Sequence, residues 1–157
     1  GFKHVFGKMS ETGAVIGGES SGGMAIQGHI HGKDGIYAAA LLVEMLAVTG
    51  KSIAEIYREI IQKYGMLYYE ETSVTTTPQN KQWLRQQVFQ EKKLPEFAEK
   101  IERISYEDGC KIFFEDGSWA ICRFSGTEPL LRIAAEGNTH HQAIELIRQW
   151  KEFLGLK

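Results

Sequence analysis

The order of apolar and polar positions changes character along the chain. Ala-Val-Ile at 14–16 is a short apolar run, and it predicts a buried strand entering the turn GGESSGG at 17–23. Beyond that turn the apolar positions follow a helical rhythm. Asp34 stands before GIYAAALLVEMLAVT as an N-cap, and Gly50 marks the stop. Ser52 caps a second helix with Ile53, Ile56, Tyr57, Ile60 and Ile61 on one face, ended by Gly65.

From 66 to 77 the aromatic and β-branched run MLYYEETSVTTT predicts a strand. Pro78 opens a polar helix with a stripe of Trp83, Leu84, Val88 and Phe89, and Pro95 breaks it. Four strand-like runs follow from Ile101. Glu-Asp-Gly turns beginning at Glu107 and Glu115 join the first three into an antiparallel meander. Thr139 caps a closing helix whose inward side is read as Ala143, Ile144, Ile147 and Phe153. The fold class is therefore an α/β fragment over 1–65, followed by an α+β domain over 66–157 with an antiparallel sheet against helices.

Composition narrows the function. The 157 residues are 43% hydrophobic and 24% charged, as in a soluble globular protein. A net charge of −2 with interspersed signs argues against nucleic-acid and membrane-surface partners. No apolar run approaches the ~20 residues of a membrane span. Cys110 and Cys122 lie in strand-like runs without metal or redox spacing, which predicts two buried thiols in a reducing cytoplasm. The first residue is Gly rather than Met, which suggests a piece of something longer.

Two polar loops carry candidate chemistry. In RFSGTEPLLR, Arg123 offers a planar fork, Ser125 and Thr127 offer hydroxyls, and Gly126 lets backbone N–H groups approach an anion. The same residues also fit a plain strand-to-strand turn with Arg123 in a surface salt bridge. In GGESSGG, the carboxylate of Glu19 beside Ser21 suits a pair of sugar hydroxyls, and a flexible linker is the alternative. No Gly-Lys-Ser/Thr follows, which argues against a nucleoside triphosphate loop. Lys3 would neutralise or exchange protons with a phosphate if it lies near one, and is otherwise surface charge. His29 and His31 form an H-x-H pair without a third ligand of suitable spacing. The acidic residues at 107, 108, 115 and 116 read as turn formers only.

Together these motifs resemble the α-D-phosphohexomutases, the phosphoglucomutase and phosphomannomutase superfamily. Gly18, Glu19, Ser20, Ser21 and Gly22 are similar to its G-E-x-S-G sugar loop, with Ser20 at the variable position. Arg123 to Pro129 match its R-x-S-G-T-E-P phosphate loop, and Gly1-Phe2-Lys3 looks like the end of its T-G-[FW]-K segment. The resemblance implies the end of the family's third domain followed by its fourth. It implies Lys3 at the catalytic centre, Glu19 and Ser21 on sugar hydroxyls, and Arg123, Ser125, Gly126 and Thr127 on the phosphate that is not transferred. It further implies a parent enzyme interconverting hexose 1- and 6-phosphates, of glucose or else mannose, through a hexose 1,6-bisphosphate. The phosphoserine and the Mg²⁺-holding D-G-D-x-D-R loop of such enzymes are absent from this sequence, so missing N-terminal domains become its partners. The chain alone is then expected to be inactive, with its fourth domain swinging about a hinge near 62–70. A phosphosugar-binding module without catalysis is the alternative.

Overall fold

The structure, a computed structural model, describes residues 2–19, 21–30, 32–126 and 128–156, with Lys3 described by its backbone alone. The chain divides after Lys63 into two compact units, Gly1–Lys63 and Tyr64–Lys157.

The first unit begins with helix α1, Phe2–Thr12, which the sequence reading leaves unassigned. Strands β1 (Ile16–Gly18) and β2 (Met24–Ile26) form an antiparallel ribbon in the register Ile16↔Ile26, Gly17↔Ala25, Gly18↔Met24. The Ala-Val-Ile run thus does lead into a strand, but the expected burial is corrected: Val15 is 66% exposed. A two-stranded ribbon has too few layers to cover both of its faces. Helix α2, Gly35–Thr49, starts at Asp34, whose Oδ1 accepts from the Ile36 and Tyr37 N–H groups at 3.0 Å. Helix α3, Ile53–Tyr64, starts at a capping box in which Glu55 Oε2 accepts from Ser52 N–H (2.8 Å) and Oγ (2.7 Å). Ile36, Val43 and Val48 of α2 are exposed, so this unit presents apolar surface. No single helix among the described residues is long and apolar enough to cross a membrane.

The second unit is a five-stranded antiparallel sheet backed by helices. Its strands are β3 (Tyr68–Thr75), β4 (Ile101–Ser105), β5 (Cys110–Phe114), β6 (Trp119–Phe124) and β7 (Leu130–Gly137), in the order β3-β7-β6-β5-β4. Strand alternation turns Cys110, Ile112 and Phe114 of β5 and Leu131, Ile133 and Ala135 of β7 to the same buried side. Helix α5, His140–Phe153, covers that side with Ala143, Leu146, Ile147 and Trp150. Thr139 caps it, its Oγ1 accepting from Gln142 N–H at 3.1 Å. Ile144 is 47% exposed, which corrects its expected inward position. The buried line runs 143, 146, 147, 150, and residue 144 points about 100° away from Ala143.

Helix α4, Pro78–Leu84, is capped by Thr77, and its chain widens over Arg85–Gln90 into a π-helical turn, closed by Glu91 N–H to Gln86 O at 2.8 Å. Leu84 and Val88 enter the core, whereas Trp83 is 48% exposed and leaves the stripe assigned to it. Cys110 and Cys122 face each other in register, free and buried. Burial pushes the Cys110 thiol up to about 11 and Cys122 higher still.

The second Glu-Asp-Gly turn is more than a corner. Asp116 Oδ1 accepts from Ser118 N–H (2.9 Å) and Oγ (2.5 Å), and Oδ2 accepts from Gln142 Nε2 at 2.6 Å. Burial alone would raise its carboxyl, yet the bonds from Ser118 and Gln142 hold it below the usual range. A depressed value adds stability above the unfolded value, near 3.8, and that contribution disappears as pH falls through the lower folded value. Asp116→Asn is expected to cost about 1 kcal/mol at pH 7 in urea unfolding. The deficit should shrink below pH 3.8; a deficit unchanged down to pH 3 contradicts this role.

Candidate functional site

Each polar loop is built within its own unit. In the second unit, Arg123 is the penultimate residue of β6, and the loop after β6 is closed by Ser125 N–H to Leu130 O at 2.9 Å. Ser125 Oγ accepts from Glu128 N–H at 3.3 Å, which folds the turn inward on itself. A Cβ built on Gly126 would meet nothing within 4 Å, so the loop tip stands open to a ligand. Thr127, assigned to the same function, lies outside the described residues.

Arg123 lies opposite Arg132 in the β6–β7 register, on one face of the sheet. Two guanidiniums placed directly across from one another repel, so anions must accompany them. Glu128 contacts Arg132 Nη2 at 3.1 Å and Glu71 approaches Nη1 at 3.8 Å. Arg132 Nε is buried without a hydrogen-bond partner among the described residues. Asp108 lies 3.1 Å from Arg123 Nη1, so the surface salt bridge of the plainer reading is present. Asp108 is therefore not a turn former alone, a correction to its sequence reading. What the arrangement offers is a loop with an open tip, a guanidinium held by one exposed carboxylate, and a second guanidinium directly across from it. That combination suits a phosphate.

Sequence reasoning missed Arg132, although it closes the very segment that drew attention. Its signal is the strand register: residues 123 and 132 are equidistant from the turn centre.

In the first unit, Glu19 begins the turn at the tip of the β1–β2 ribbon. Its N–H bonds Gly23 O at 3.0 Å and its carbonyl accepts from Gly22 N–H at 2.9 Å. Ser21 Oγ donates to Glu19 Oε1 at 2.9 Å, and Lys33 Nζ donates to the same oxygen. The Lys33 bond first, and the Ser21 bond next, hold the Glu19 carboxyl below the usual range. A Cβ on Gly23 would come within 2.8 Å of the Lys33 stem, so the lysine passes directly over this glycine. Glu19 Oε2 takes no hydrogen bond among the described residues. The result is an ionised carboxylate with one oxygen held and one available to a hydroxyl.

Lys33 was also missed; the signal was a lysine directly before the Asp34 helix cap. His29 bonds Asp34 at 2.9 Å and stacks on Tyr37 at 4.0 Å, a structural role at the start of α2. His31 and Ser20 lie outside the described residues, as does the side chain of Lys3. Among the described residues no group of three or more His, Cys, Asp or Glu could hold a metal ion.

The family emerges from comparison. Residues 1–64 match the phosphoglucomutase/phosphomannomutase alpha/beta/alpha domain III, and residues 84–150 match the C-terminal domain of the same family. The chain is 33% identical over 148 residues to a phosphoglucomutase/phosphomannomutase of Thermococcus kodakarensis, covering 94% of the chain and 29% of that protein. A phosphoglucosamine/phosphogalactosamine mutase of Sulfurisphaera tokodaii is 31% identical over 147 residues, covering 94% and 30%. A crystal structure of a Thermus thermophilus protein assigned as a phosphomannomutase has a TM-score of 0.69 at 24% identity, over 99% of the chain and 30% of its own, and so supports the fold. The chain belongs to the phosphoglucomutase/phosphomannomutase family, and its two matched segments are that family's third and C-terminal domains. It spans about 30% of the length of these relatives.

Proposed function

We propose that this chain is the sugar- and phosphate-binding portion of a phosphohexomutase that interconverts hexose 1-phosphate and hexose 6-phosphate through a bisphosphate. The observation carrying the proposal is the open loop tip at Gly126 beside the facing pair Arg123 and Arg132, in a chain of this family. Arg123, Arg132, Ser125, Gly126 and Thr127 grip the phosphate that is not transferred. Glu19 and Ser21 read sugar hydroxyls, with Lys33 keeping Glu19 ionised. Lys3 works at the reacting end as an electrostatic or acid–base group.

A loop that grips phosphate alone and another that grips hydroxyls suit a substrate held in two orientations. Phosphoryl transfer rests on positioning and charge neutralisation, which such loops supply. The phosphoserine and Mg²⁺ belong, in this proposal, to further domains of a parent protein. The described residues offer no cluster of metal ligands, so no step of the chemistry is assigned to a metal in this chain. The exposed apolar surface of α2 supports further partners for the first unit. Two free thiols facing each other support a reducing, cytoplasmic setting. Glucose phosphate is the proposed substrate and mannose phosphate the neighbouring possibility.

Glu19→Ala tests the division of labour. Titration calorimetry should give unchanged affinity for inorganic phosphate and a roughly tenfold loss for glucose 1-phosphate, the worth of a charge-assisted hydrogen bond. Equal losses for both ligands would mean that Glu19 supports the loop and does not read the sugar.

A further inference from the structure

The β4–β5 turn and the end of β6 border a cleft of about 360 Å³ lined by Arg85, Phe89, Asp108, Gly109, Arg123 and Phe124. We propose that Asp108 is a built-in competitor for the ligand of Arg123. Its carboxylate occupies the place of an incoming phosphate oxygen, and binding exchanges one anion for the other. The inference rests on the reading of Arg123 as a phosphate clamp.

Three observations carry it. First, the pairing is built by the backbone. Asp108 and Arg123 are fifteen positions apart, and Gly109 brings them together. Gly109 has φ +97°, and a Cβ there would fall 2.5 Å from Arg123 Cβ and 2.7 Å from Cys122 O. Only glycine lets the turn press this closely on the strand end.

Second, the contact is easy to release. Asp108 makes no other side-chain hydrogen bond or ion pair among the described residues, its side chain is 59% exposed, and it engages Nη1 alone. Half of the guanidinium fork is left for a bidentate oxyanion, which outcompetes a single exposed carboxylate contact.

Third, the cleft has room and a second cation. Arg85 lies over the Phe124 ring at 5.6 Å and has no carboxylate partner among the described residues. A phosphate entering the cleft thus meets the Arg85 guanidinium as well as that of Arg123. The device neutralises Arg123 against its neighbour Arg132 when the loop is empty. It also keeps bound phosphate exchangeable, as a substrate that must turn over between two transfers requires.

The test is calorimetric titration with inorganic phosphate at fixed ionic strength. Asp108→Asn and Asp108→Ser should each tighten binding about two- to fivefold, the range of an exposed ion pair removed from competition. Glu107→Gln removes the same charge one residue away without touching Arg123, and should leave affinity unchanged. Equal or weaker binding in both Asp108 variants overturns the proposal, as does an identical gain in Glu107→Gln. Arg123→Ala separates the two claims: parental phosphate affinity in that variant means that the clamp itself is wrong.

Discussion

Trp150→Ala is expected to lower the unfolding free energy of the second unit by about 3–5 kcal/mol. Trp150 is fully buried, its ring 6.3 Å from Phe97 and 6.2 Å from Phe153, both in edge-to-face arrangements. It is the largest fully buried side chain of the core between α5 and the sheet, and truncation leaves a cavity that rigid strands cannot close. Part of the loss is offset, because the indole Nε1 is buried without a hydrogen-bond partner among the described residues. The expected value therefore lies toward the lower end of the range. Urea unfolding followed by circular dichroism checks it; a loss under about 1 kcal/mol would mean that α5 does not anchor the core.

Arg123→Ala has the second large effect, and on binding rather than folding. Loss of a charge-assisted contact to phosphate is worth roughly 1.5–3 kcal/mol, so affinity for inorganic phosphate and for glucose 1-phosphate should both fall about ten- to a hundredfold. Stability should move by less than about 1 kcal/mol, since the Arg123 side chain is 38% exposed and its one ion pair among the described residues is with Asp108. The contrast between the two readouts is informative. A variant that loses stability and affinity together would make Arg123 a structural residue of the β6 end.

The fold was legible where local chemistry is decisive. Asp34, Ser52 and Thr139 announce their helices because a side-chain acceptor before an apolar rhythm satisfies otherwise orphaned N–H groups. The two Glu-Asp-Gly turns likewise specify the meander, with Gly109 and Gly117 at positive φ. Packing partners were less legible. Nothing local tells Ile144 from Leu146; which one is buried depends on where the sheet meets α5. Helix α1 carries its own stripe, Phe2, Val5, Phe6 and Met9, a pattern the sequence reading did not use.

The candidate site divides in the same way. The loop residues stand next to one another in the sequence and form motifs. Arg132 becomes part of the arrangement through strand register, Lys33 through a crossing over Gly23, and Asp108 through a turn fifteen residues away. Such neighbours are set by tertiary structure, and charge patterning along the chain does not expose them.

The most direct test is a backbone-amide NMR titration of this chain with inorganic phosphate and, separately, with glucose 1-phosphate. The account predicts shifts centred on residues 123–127 and at Arg132 with both ligands, and additional shifts at residues 18–22 with the sugar phosphate alone. Phosphate shifts centred elsewhere, with 123–127 silent, would contradict it.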